Sequence, residues 1–164
     1  MATMLPQVTS ITRERVSREF DHLGPVACMD EITSDLKKNN PEVLDMILKC
    51  SADTAKPDQV VVGLGMFYRL LTAQSGSGPG TRVSMLPCVT AECREAVVRQ
   101  IDIEGEEQFT LDAIERLDRE NSELLQMAHN FATEHDNYLQ VMQGFGLIYT
   151  AMAIQSTLDR AVLH

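Results

Sequence analysis

Apolar positions along the chain recur at three- and four-residue spacing, and no stretch alternates with period two for long enough to make a strand. The pattern predicts helices throughout. Thr9 precedes the first periodic stretch, where its hydroxyl can accept an otherwise unpaired backbone N–H, so a helix starts after it and stops at Gly24. A second helix runs to Lys38. A third has Asn40 as its expected N-cap and Pro41 in the first helical position, where the missing N–H of proline would have no partner anyway. The fourth, about Pro57 to Gln74, is apolar on nearly every side, as befits a helix inside a bundle.

The same series returns in the second half. A shift of 81 positions lays residues 4–75 over 85–156 without a gap, with 23 identities in 72 positions. MLPQVTSITRERVSREFDHLG falls on MLPCVTAECREAVVRQIDIEG, and DQVVVGLGMFYRLLTAQS on LQVMQGFGLIYTAMAIQS. Matching helices are therefore expected from after Thr90 to Gly105, on to Arg119, from Asn121, and over about Tyr138 to Ala161. The fold expected is all-α: a tandem duplication of a roughly four-helix unit, packed as one pseudo-twofold-symmetric helical domain over 1–164. The repeats, 4–75 and 85–156, are joined by the Gly/Ser/Pro-rich connector 76–84. One copy alone is short for a self-sufficient core, and two copies in one chain can make internally a twofold contact that a dimer makes between chains.

Two local features need a reason. Ile114, Leu117, Asn121, Leu124, Ala128 and Phe131 would suit one continuous helix with a polar residue in its apolar stripe, but Asn121 falls on Asn40, which precedes Pro41, so a boundary is expected there. Each fourth helix also carries Gly-x-Gly, at Gly63 and Gly65 and at Gly144 and Gly146. Glycine inside a helix costs about 0.8–1 kcal/mol relative to alanine. Close approach of the two fourth helices near the pseudo-axis is the expected compensation.

Composition narrows the class. With 44% apolar and 23% charged residues, the chain is unlike a disordered tail, a collagen or a disulfide mini-scaffold. A formal net charge of −10 argues against nucleic acid, which is held by clustered Lys and Arg. Most of the excess lies from Asp102 to Glu123, where nine carboxylates meet only Arg116 and Arg119. A solvated helix face accounts for such a run, and so does an acidic docking surface for a protein partner with a basic surface, with Glu106, Glu107, Asp112 and Glu115 as its candidates. The charged first twenty residues do not resemble a signal peptide, the longest apolar runs are too short for a membrane span, and four cysteines fit free thiols. A cytoplasmic protein is expected.

Candidate chemistry is sparse. Cys88 and Cys93 stand in C-x4-C spacing, a weak metal signal by itself, and Cys28 and Cys50 fall opposite Phe109 and Phe131, as small core residues would. The Gly-x-Gly pairs sit inside helices, not at the strand-to-helix turn that a phosphate loop requires. No nucleophile motif, cofactor or metal site is expected. Helix-internal ion pairs are expected between Glu14 and Arg18 and between Glu95 and Arg99. Gln59/Gln140, Tyr68/Tyr149 and Gln74/Gln155 remain, polar groups kept at matching positions of an apolar helix. They either satisfy one another across the pseudo-axis or line a pocket between the repeats, with Arg69, which falls opposite Thr150, as an anion-binding group. The function expected is a non-catalytic interaction or regulatory protein acting through helix surfaces. The alternative is a binder of, or enzyme acting on, a small hydrophobic or anionic ligand in that pocket, using Tyr68, Arg69, Tyr149, Gln59 and Gln140.

Overall fold

Thr9 and Thr90 do start helices. In the computed structural model, which describes residues 5–75 and 86–162, the Thr9 hydroxyl accepts the backbone N–H of Thr12 and the Thr90 hydroxyl that of Cys93. The connector 76–84 lies outside the described residues. Among those described, the chain forms eight helices and no strand: α1 (Ser10–Leu23), α2 (Pro25–Asn39), α3 (Pro41–Ala52), α4 (Pro57–Gln74), α5 (Ala91–Glu104), α6 (Glu106–Glu120), α7 (Ser122–Thr133) and α8 (Tyr138–Val162). Each of the last four begins 81 positions after its counterpart among the first four, as the pairs Ser10/Ala91, Pro25/Glu106, Pro41/Ser122 and Pro57/Tyr138 make plain.

The boundaries have local causes. Gly24 and Gly105 sit at φ +86° and +93°, a backbone region that side chains with a Cβ rarely enter, and each ends one helix while starting the next. Asn40 and Asn121 break the helix at φ −152° and −154°, so α6 and α7 are separate helices.

Helices α4 and α8 form the centre. α4 packs against α1, α2 and α3, α8 against α5, α6 and α7, and each also receives the third helix from the other half: α7 lies on α4 and α3 on α8. Phe67 and Phe145 meet with ring centroids 5.0 Å apart, and Phe131 of α7 stands edge-on to Phe145 at 5.9 Å. One continuous apolar cluster spans both halves of the chain.

The glycine expectation is corrected in one respect. A Cβ on Gly63 would lie 2.4 Å from the Phe131 ring of α7, and one on Gly65 would lie 2.8 Å from the Met29 methyl of α2. On Gly146 it would lie 2.7 Å from Ala113 of α6. The glycines therefore admit second and third helices, and the other fourth helix enters only as the Leu64 side chain beside Gly144. No helix among the described residues is long and apolar enough to cross a membrane.

Candidate functional site

Asn40 and Asn121 were expected as N-caps, and neither side chain caps its helix. Both are buried to 1% exposure and reach a distant extended segment instead. Asn121 accepts the Val8 N–H at 2.8 Å and donates to the Pro6 carbonyl at 2.9 Å; Asn40 accepts the Val89 N–H at 2.9 Å and donates to the Pro87 carbonyl at 2.9 Å. The stretch leading into α1 is thus held by the α6–α7 boundary, and the stretch leading into α5 by the α2–α3 boundary. Charged pairs follow the same plan: Arg13 reaches Glu123, while Arg94 reaches Glu42 and Asp45. The hydrogen bond from Arg94 holds the Asp45 carboxyl below its ordinary range. Among the described residues, the pairs expected within helices, Glu14 with Arg18 and Glu95 with Arg99, do not close.

The polar side chains on α4 and α8 do not satisfy one another across the centre. The Tyr68 hydroxyl takes a long hydrogen bond from Asn40 at 3.4 Å, and the Tyr149 hydroxyl donates to Glu120 at 3.0 Å. Burial pushes Tyr68 up to about 12 and raises Tyr149 still further. Gln74 accepts from the N–H and hydroxyl of Thr9, and Gln155 does the same for Thr90. Arg69 is not positioned to receive an anion: its guanidinium grips the Glu19 carboxylate at 3.1 and 3.0 Å and also donates to Thr72. Gln59 is exposed.

An open cleft of about 810 Å³ lies elsewhere, between α3, α6 and α8. The end of α3 contributes Lys49 and Cys50, followed by Asp53; the start of α6 gives Glu106, Glu107 and Thr110. The remaining wall runs from Asp136 and Asn137 into α8, through Leu139, Gln140, Gln143 and Gly144. Of the five residues expected around a pocket, only Gln140 lines this cleft. Four carboxylates, Asp53, Glu106, Glu107 and Asp136, face one cation, Lys49, which is itself 3.4 Å from Asp45. Burial pushes the Cys50 thiol up to about 11, keeping it neutral.

The four acidic candidates are all exposed on α6. Only Glu106 and Glu107 also reach the cleft; Asp112 accepts from Gln108 one turn back. Leu111, on the exposed side of the same helix, is 49% exposed. Among the described residues, no group of three or more His, Cys, Asp or Glu side chains is arranged to hold a metal ion, and Cys88 is exposed while Cys93 is buried. Comparison with protein-family models, curated proteins and solved structures finds no match.

Proposed function

We propose that the chain is a non-catalytic interaction protein that docks a protein partner with a basic surface, built as a tandem duplication of a four-helix unit packed about a pseudo-twofold axis. The duplication is supported by the constant 81-residue spacing of helix starts and by the reciprocal Asn40 and Asn121 contacts. The docking reading rests on one observation above the rest: Glu106 and Glu107 join the exposed face of α6 to a cleft that adds Asp53 and Asp136 and opposes them with Lys49 alone. Such a surface raises the local concentration of a cationic partner and speeds its encounter, more strongly at low salt. An anionic small molecule suits this lining poorly, and Arg69 is already committed to Glu19.

The test replaces four carboxylates together, Glu106→Gln, Glu107→Gln, Asp112→Asn and Glu115→Gln. Proteins retained by the immobilised wild-type chain, and released by moderate salt, are expected to be lost from the variant at unchanged melting temperature. An identical set retained by both proteins contradicts the docking reading.

A further inference from the structure

Building on that docking reading, we propose that the cleft between α3, α6 and α8 receives an aromatic side chain carried on a Lys/Arg-rich segment of the partner protein. Two matching places in the chain differ in how they are filled. At Gly63 the space over the backbone is occupied by the Phe131 ring, so closely that a Cβ would collide with it at 2.4 Å. The glycine 81 positions later, Gly144, has Cys50 where Gly63 has Phe131. Met29, which covers Gly65, likewise corresponds to Thr110. The smaller side chains Cys50 and Thr110 line the cleft, where the matching positions carry a ring and a thioether.

Gly144, itself buried, packs differently from Gly63. A Cβ there would sit 3.4 Å from both the Cys50 Cβ and the nearest Leu64 methyl, the edge of ordinary contact, so internal packing demands a glycine far less than at Gly63. The floor of Cys50 and Gly144 and the half-exposed Leu139 at 52% offer an aromatic ring apolar contact, while the carboxylates Asp53, Glu106, Glu107 and Asp136 select a cationic carrier. An aromatic anchor seated in a pocket and ringed by polar contacts is the usual anatomy of a binding hot spot.

The probe is the synthetic peptide Lys-Lys-Phe-Lys-Lys, titrated into the full-length isotope-labelled protein and followed by amide-resolved NMR, beside Lys-Lys-Ala-Lys-Lys and Glu-Glu-Phe-Glu-Glu. The phenylalanine peptide is expected to bind at least tenfold tighter than its alanine version, with shifts centred on Gly144 and Gln140, and the acidic peptide is expected not to bind. Cys50→Phe, which fills the floor as Phe131 fills the matching place, should reduce the phenylalanine peptide to the affinity of the alanine one. If Cys50→Phe does not fold, Gln140→Trp at the rim serves the same purpose. Equal affinity for the two basic peptides, shifts away from the cleft, or no binding by either overturns the anchor. Equal affinities that both fall in the four-carboxylate variant remove the anchor and leave the acidic docking face standing.

Discussion

Asn121 accepts the backbone N–H of Val8 at 2.8 Å, joining residues 113 positions apart in a fully buried setting. Its amide nitrogen holds the Pro6 carbonyl at the same time. Replacing Asn121 by Ala leaves the buried Val8 N–H and the half-buried Pro6 carbonyl without their partner, a loss of up to about 1–3 kcal/mol for each. Chemical denaturation of Asn121→Ala should therefore register a loss of roughly 2–5 kcal/mol, and Asn40→Ala a similar one. A loss under about 0.5 kcal/mol in both would contradict the interlocking role given to these side chains.

The two glycines at matching places should respond to alanine in opposite directions. Gly63→Ala drives a methyl into the Phe131 ring and should lower stability, with substantial recovery in the double variant Gly63→Ala/Phe131→Cys. Gly144→Ala meets only contacts near 3.4 Å, so the helix-propensity gain of up to about 1 kcal/mol should make it neutral or stabilising. Melting temperatures of the three proteins decide this.

Alkaline pH should destabilise the fold. Cys50 is pushed up from 9.0 to about 11 and Tyr68 from 10.0 to about 12, each chiefly by burial. Above pH 9 the unfolded chain gives up these protons while the folded chain retains them, so stability is full below about 9 and falls as pH rises toward 11 and 12. Cys50→Val should lessen the earlier part of this decline, to which Cys28 and Cys93, also raised by burial, contribute as well. A melting temperature constant from pH 8 to 11 would contradict it.

Thiol reactivity should follow the same contrast. Cys88 is exposed, whereas Cys50 is half-buried with its thiol held neutral by desolvation. A thiol reagent at pH 8 is expected to label Cys88 rapidly and Cys50 at least tenfold more slowly, read by peptide mass mapping. Equal labelling rates would be incompatible with the packing of Cys50 against Gly144.

Helix ends were legible in the sequence because their causes are local: Thr9 and Thr90 cap with their own hydroxyls, and Gly24 and Gly105 take the positive φ that ends a helix. What Asn40 and Asn121 do was not, since capping preference is also local and their partners lie 49 and 113 positions away. The signal that would have found them was the retention of Asn in both halves together with the LPxV segments they hold. The Gly-x-Gly pairs announced close approach without naming the approaching helix. Tyr68 and Tyr149 read as pocket or axis residues because burial alone does not say that Asn40 and Glu120 meet their hydroxyls. The cleft is lined by Cys50 and Thr110, whose matching positions carry Phe131 and Met29, a difference in side-chain volume visible in the self-alignment.

The most direct test of the docking account is amide-resolved NMR of the labelled full chain with the partner that the carboxylate-dependent capture isolates. Shifts are expected to concentrate at Lys49, Glu106, Glu107, Gln140 and Gly144, and to fade as salt is raised. Shifts confined to α1 and α2, with the α3, α6 and α8 cleft silent, would contradict it.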